Sequence, residues 1–450
     1  MCRLKTCFIL AFLCFTKIIN AQSRWVPSAE NILPDSQRVA SISVPDEFTV
    51  WAVSYYDKTP APVPSDIIPR VLMTKNGGFT WMTSEITEAQ GKITQDIFSF
   101  DDNTAWVTTN GLSAGTQSLL KTTDGGFTWE EKLATTSAGG LVHFFDANDG
   151  IVIHGKFISI TNDGGETWTP ISIFNIPFEG SEDVFYRAGN NALACQGDTL
   201  WFGTTFGRVF RSNDRGLTWE AFDTPLEDND IIVSTAFRND QEGILISYSK
   251  LEGDSIVFEE NTKIALTFDG GETWEMSDTI FNFKINCMTV VPEESITFMG
   301  ATNGLSSFSK DTTTTWENIS FRPYNAVEFY GSELGWVGSG ETSEDHPAAM
   351  YKWEGVITNV NNVLIETIDV QISPNPFNRQ FQWEINSKDF QKYQNENLEF
   401  VVFDILGQKT FSQQINYEKE IISFSAPPGS YFYKIQSNQG ILDSGKLIKQ

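Results

Sequence analysis

Residues Thr161 to Trp168 read TNDGGETW, and five other segments carry the same phrase. They are TKNGGFTW (Thr74 to Trp81), TTDGGFTW (Thr122 to Trp129), SNDRGLTW (Ser212 to Trp219), TFDGGETW (Thr267 to Trp274) and SKDTTTTW (Ser309 to Trp316). The shared pattern is Ser or Thr, any residue, Asp or Asn, then Thr-Trp four and five positions after the acid. Repetition of this kind marks a repeat fold. The side chains of Asn76, Asp124, Asp163, Asp214, Asp269 and Asp311 are suited to cap a tight turn by accepting backbone N–H groups, and the Ser or Thr two earlier can add another bond. Gly78, Gly126, Gly165, Gly216 and Gly271 supply positive φ where a β-carbon would clash. Thr-Trp then starts a strand, with Trp81, Trp129, Trp168, Trp219, Trp274 and Trp316 expected between neighbouring sheets. The last copy has no glycine, so its turn is expected to differ.

A short strand after an acidic turn precedes each phrase. Clear examples are EFTVWAV (Glu47 to Val53), NTAWVTT (Asn103 to Thr109), DTLWFGT (Asp198 to Thr204), ESITFMG (Glu294 to Gly300) and ELGWVGS (Glu333 to Ser339), with weaker ones at Asp149 and Glu242. Evenly spaced strands and turns predict an all-β fold. Tryptophans from Trp25 to Trp353 are spaced by roughly one four-stranded blade, which predicts a seven-bladed β-propeller over residues 22–355; a six-bladed ring is the competing count. The last unit ends at Trp353 without a full phrase. SRWVP around Trp25 repeats the strand start of ETWTP, so the N-terminal strand is expected to complete that unit and close the ring.

The six phrases resemble the Asp-box, or BNR, repeat of sialidase-like propellers. That resemblance implies turns on the blade periphery, away from any active face, and therefore structural acids with no catalytic residue among them. FRPY (Phe321 to Tyr324) resembles the sialidase Phe-Arg-x-Pro motif only in part, since its proline comes one residue early and it follows the sixth box. Sialidases also need three converging arginines; here Arg208, Arg211 and Arg215 cluster beside a turn.

Both ends of the chain concern delivery. Residues 1–21 are expected to be a signal peptide: Arg3 and Lys5 are followed by CFILAFLCF and then the small residue Ala21. A lipoprotein signal at Cys14 is the alternative, but Leu13 stands where a small residue is wanted. A polar linker is expected over 356–369. Residues 370–450 alternate as a small antiparallel β-sandwich, with the landmarks SPNPF, FDILG, PPGSYFYKI and GKLIKQ in order. This stretch resembles the type A C-terminal sorting domain of type IX secretion in the Bacteroidetes. The resemblance rests on Pro374, Asn375 and Pro376; Asp404, Leu406 and Gly407; Gly429, Tyr431 and Ile435; and Lys446 with Lys449. It implies the type IX machinery as a partner, passage through the periplasm, and a secreted or outer-membrane surface location.

The chain carries −27 at neutral pH, so nucleic acid is not an expected partner. No segment has the length of a membrane helix. No cofactor is expected and no residues have metal spacing; the acidity reads as a solvated surface, with calcium or a cationic partner as the sharper alternative. Cys195 and Cys287 are open to pairing or to remaining free thiols. His143, His154 and His346 stand in separate repeats, and the acidic loops Glu179 to Asp183, Glu227 to Asp230 and Glu341 to His346 read as solvated turns. Two functions are left. One is a non-catalytic secreted or surface propeller that binds glycan or protein; the other is a glycoside hydrolase of the sialidase-like or xyloglucanase-like kind. Two acids lining one central groove would favour the enzyme.

Overall fold

The structure, a computed structural model, describes residues 24–34, 36–56, 67–111, 117–135, 140–185, 192–253, 255–278, 284–291, 297–301, 306–309, 316–320, 322–339, 348–354, 370–393, 398–404, 409–437 and 440–450. The expected signal peptide and linker lie outside these residues, as do Asp311, Leu406, Gly407 and the loop 341–346.

The described part is almost wholly β. Six four-stranded antiparallel sheets follow one another over 37–85, 92–135, 141–170, 193–223, 230–276 and 285–320, each with its strands in chain order. In a seventh, Tyr324–Tyr330, Leu334–Ser339 and Ala348–Glu354 are completed by Arg24–Glu30 from the start of the chain. Inner strands are apolar on both faces because each sheet is packed on two neighbours. Asp230–Phe237 is buried throughout, while the outermost strand Met82–Glu85 is mostly exposed.

Shared cores join the sheets in sequence. Trp51 and Ile97 pack together, Trp106 stacks on Phe144 at 4.0 Å, and Ile153 shares a cluster with Phe202. Trp201 stacks on Phe237 at 3.9 Å, Ile246 packs with Met288, and Cys287 with Tyr324. Val39 and Trp336 bring the seventh sheet back to the first. The sheets thus form a ring, the arrangement of a β-propeller.

Closure uses the N-terminal strand. Trp25 lies opposite Trp353 in the ladder, their rings 5.0 Å apart, and it also meets Phe329 and Tyr324 edge-on. Pro27 is tolerated there because the strand lies at the sheet edge. Ser28 ties the same strand to the first repeated turn: its hydroxyl donates to the Gly78 carbonyl at 2.9 Å and accepts from the Trp81 indole at 3.0 Å.

Residues 370–450 form two facing sheets. One contains Val370–Ser373, Gln380–Ile385 and Lys419–Ser423; the other contains Lys409–Gln414, Glu399–Phe403, Gly429–Ser437 and Gly440–Lys449. Phe381, Trp383, Phe400, Ile435 and Leu447 fill the space between them. Cys195 and Cys287 are free thiols, so no disulfide links the two repeats that hold them.

Trp25→Ala should cost about 3–5 kcal/mol, as for other buried tryptophans. Hydrogen exchange should rise first over 334–339 and 350–354 and later over 157–161. A uniform rise would show that the N-terminal strand does not close the ring.

Candidate functional site: turns, central cavity and C-terminal module

The repeated turns sit where neighbouring sheets meet. At Asp163, Oδ1 accepts from the Thr161 hydroxyl at 2.8 Å and the Thr167 amide at 2.9 Å, while Oδ2 accepts from the Thr167 hydroxyl at 2.6 Å. The Thr161 hydroxyl in turn accepts from the Gly165 amide at 3.0 Å. Asp124, Asp214 and Asp269 repeat the pattern. Asn76 supplies a neutral version in which its amide donates to the Thr80 hydroxyl at 2.8 Å. In the described turns the Thr before the Trp is therefore part of the clamp, a role that its placement at a strand start hides. Each following strand begins at the residue after the Trp, two later than the expected Thr, except at Trp316, which opens its strand.

The indoles divide into two groups. Trp129, Trp219 and Trp274 are buried as expected, whereas Trp81 and Trp168 are only half-buried. The Trp168, Trp219 and Trp274 indoles donate back to the carbonyl of the second turn glycine at 3.2, 3.0 and 3.1 Å. The Trp316 side chain lies outside the described ones.

Basic residues strap several of the turns to the sheet before them. Lys121 donates to the Gly164 carbonyl at 2.8 Å, Arg211 to Gly270 at 3.1 Å and Lys352 to Gly77 at 2.8 Å. Arg215 replaces a turn glycine at φ 60° and reaches Asp146, Asp149 and Asp198 at 2.7, 2.6 and 2.7 Å. Arg208 meets Glu179 at 2.9 Å, donates to the Pro177 carbonyl at 3.0 Å and pairs with Glu182. Arg208, Arg211 and Arg215 thus serve separate straps, and they do not converge on one ligand.

Two of the acidic loops expected to be solvated turns need correction. Glu182 is fully buried against Arg208, and Asp230 is fully buried with Lys263 at 2.7 Å. Both acids are internal ion-pair partners, so these loops are not solvated turns throughout. Sequence alone offers no sign of burial in an acidic, polar stretch.

A central cavity of about 610 Å³ is lined by first strands of the sheets and carries Ser41, Asp96, His143, Cys195 and Glu328. Asp96 and Glu328 were missed in the sequence, although each is the only acid of its strand. Asp96 Oδ1 accepts from the Ser41 hydroxyl at 2.9 Å and the Ile97 amide at 3.0 Å, and Oδ2 accepts from the Val142 amide at 3.0 Å. It therefore ties three adjacent sheets together. Burial raises its pKa from 3.8 to about 6 against the pull of these bonds. Burial, and then the nearby Asp96 charge, raise Glu328 from 4.5 to about 8. Both shifts favour the protonated carboxyl, and Glu328 is shifted further than Asp96.

His143 stands edge-on between Phe98 and Phe145, with centroids 5.2 and 5.1 Å away, and burial lowers its pKa to about 4. Burial and then Asp198 push the Cys195 thiol up to about 12, which keeps it protonated and a poor nucleophile. Among the described residues, no three His, Cys, Asp or Glu side chains gather to hold a metal, and no helix is long and apolar enough to cross a membrane.

In the C-terminal module the landmark residues meet at the last strand. Asn375 donates to the Lys446 carbonyl at 2.6 Å and accepts from the Ile448 amide at 2.8 Å, flanked by Pro374 and Pro376. Lys449 donates to the Phe424 carbonyl at 2.7 Å, and Tyr431 to Pro427 at 2.7 Å. Gly429 lies opposite Lys449, Ile435 is in the core, and Asp404 follows strand Glu399–Phe403.

Residues 371–450 match the family model of the secretion system C-terminal sorting domain. That domain marks the chain for type IX secretion to the cell surface or beyond it. No curated protein matches the chain. Among solved structures, YCF48 from Cyanidioschyzon merolae is similar at 16% identity and TM-score 0.51, over 73% of this chain and 98% of that one. YCF48 bound to a D1 peptide gives 16% and 0.50, over 75% and 97%. The GH74 xyloglucanase from Xanthomonas campestris gives 11% and 0.50, over 81% of this chain and 60% of that one. At such identities the likeness is one of fold, the β-propeller.

Thr167, through its hydroxyl and then its amide, holds the Asp163 carboxyl at about 2, below the usual 3.8. A carboxyl depressed in the fold stabilises it above the unfolded value and loses that effect as pH falls through the folded one. Asp163→Asn, which copies Asn76, should therefore melt below wild type at pH 5 and converge with it towards pH 2. Melting curves over that range test this; a constant gap would contradict the bonding described.

Proposed function

We propose that the body is a seven-bladed propeller of the Asp-box kind that, once exported, binds glycan or protein without hydrolysing it. The seven four-stranded sheets and the acid-clamped turns support the first half of this reading. Its extent would be 22–355, behind a signal peptide at 1–21 and joined by a linker at 356–369 to the sorting module at 370–450. The box acids are spent inside their turns, so they are structural groups, and no cofactor is called for.

The binding half is carried by one loop. Phe174 is 95% exposed beside Ile173, which is 54% exposed. Their short helical turn is capped by the Ser172 carbonyl, which accepts from the Asn175 amide at 2.9 Å. The loop is braced by Phe178 stacked on Phe210 at 4.8 Å and by the Arg208 bond to Pro177. A braced, solvent-facing aromatic is an anchor whose ordering cost is already met before binding. Similar folds include a YCF48 bound to a D1 peptide and a xyloglucanase, so protein and glycan ligands both suit a ring of this type.

A hydrolase is the second reading, favoured by Asp96 and Glu328, which line one cavity with pKa values of about 6 and 8. Acid and base roles need two carboxyls facing a substrate. Asp96 directs both of its oxygens to the protein, which leaves Glu328 alone.

Purified protein should retain members of a panel of xyloglucan, xylan, mucin glycans and random peptides without releasing products. Phe174→Ser should weaken that binding by about 2 kcal/mol or more, the usual cost at an anchor. Release of reducing ends that Glu328→Gln abolishes would establish the hydrolase instead.

A further inference from the structure

The first repeated turn differs from the others in a way that its own sheet does not use. In every described copy, the amide at the first glycine position donates to the carbonyl of one residue in the neighbouring hairpin. The pairs are Gly77 to Phe48 at 2.8 Å, Gly125 to Asn103 at 3.0 Å, Gly164 to Asn148 at 2.9 Å, Arg215 to Asp198 at 3.1 Å and Gly270 to Gln241 at 2.8 Å. The accepting residue is polar in four turns and Phe48 in the first. The turn tip beside it is also aromatic: Phe79 is 59% exposed. The second turn has an even more exposed tip in Phe127, but its neighbour is Asn103. Only the first described turn therefore presents two apolar rings together.

The C-terminal module presents a matching pair. Phe403 and Phe432 lie directly opposite each other on adjacent strands. They point away from the module's core, since Phe400, Val402 and Tyr431 fill that core from the alternate positions. Phe432 stacks on Phe79 with centroids 4.0 Å apart and planes at 19°, and Phe403 tilts against Phe48 at 5.7 Å. Lys434 lies over the Phe403 ring at 5.3 Å and reaches Glu47 at 4.0 Å. A pair of rings meets a pair of rings, and a cation meets an anion beside them. Each partner brings what the other lacks.

We propose that Glu47, Phe48 and Phe79 form a seat for the sorting module of the same chain. The seat holds the module in one orientation, so the propeller presents its export signal in a fixed geometry. Removal of the module then bares two adjacent rings on the first sheet. The equivalent positions of the other described turns have no such seat, which makes the docking specific to one place on a ring of similar units.

Carbodiimide treatment of the full-length protein tests this, because it joins a carboxylate to an amine only when the two touch. Mass spectrometry should recover a Glu47–Lys434 cross-link from wild type. Its yield should fall about tenfold in Phe79→Ser and in Phe432→Ser, in keeping with loss of a stacked pair and its buried area. Phe127→Ser, the equivalent tip on the next turn, should leave the yield unchanged. Phe79 is largely exposed, so melting curves of Phe79→Ser and Phe127→Ser should coincide and rule out unfolding as the cause. Absence of the cross-link from wild type, or equal yields in Phe79→Ser and Phe127→Ser, would overturn the proposal.

Discussion

Five of the joints between neighbouring sheets depend on a missing β-carbon. The second turn glycine sits at positive φ with its backbone pressed on a large side chain of the sheet before it. A β-carbon on Gly126 would lie 3.1 Å from Trp51, on Gly165 2.6 Å from Trp106, and on Gly216 2.3 Å from Ile151. On Gly271 it would lie 3.3 Å from Trp201, and on Gly78 2.2 Å from Trp336. The last of these carries the contact from the seventh sheet to the first, so the same device that spaces the sheets also closes their ring. Two independent demands, positive φ and close approach, select glycine at one position.

The other features of the turn serve that joint. The acid and its two Thr or Ser partners fix the turn, the Trp168, Trp219 and Trp274 indoles donate back to their glycine carbonyls, and Lys121, Arg211 and Lys352 from the preceding sheets strap three of the outer carbonyls. At the seam the N-terminal strand adds to the device. Ser28 enters between Trp81 and Gly78, and Trp25 packs edge-on against Trp353. Polar clamping at the rim is suited to an exported, acidic protein, because its acids are occupied in local bonds and keep the surface solvated.

Much of this was legible because the turn chemistry is local. Eight consecutive residues contain both the clamp and its glycine, and repetition identifies them without knowledge of the fold. The landmarks of the C-terminal module are legible for a similar reason: Asn375, Gly429, Tyr431 and Lys449 hold fixed places around one edge. The cavity was not legible. Asp96 meets Ser41 and Val142 from two other sheets, and nothing in the sequence around Asp96 specifies those partners. Glu182 and Asp230 looked like surface acids because their cations, Arg208 and Lys263, are supplied from elsewhere in the chain. The pairing of Phe48 with Phe79 becomes visible only once the hydrogen bond from Gly77 shows which residues of the repeats are equivalent.

The function drawn from this arrangement depends on the ring being rigid, since a braced loop and a fixed module are of use only on a frame that does not yield. A comparison of two glycine substitutions tests the frame most directly. Gly165 and Gly331 both have positive φ, at 81° and 70°, but Gly331 has nothing within 4 Å of its would-be β-carbon. Alanine at either position meets the backbone cost, and only Gly165→Ala also meets Trp106. Denaturant melts should show Gly165→Ala losing about 1–3 kcal/mol more than Gly331→Ala, the usual cost of overpacking. Equal losses would contradict the account, because the turn glycine would then serve its own turn and not the joint between sheets.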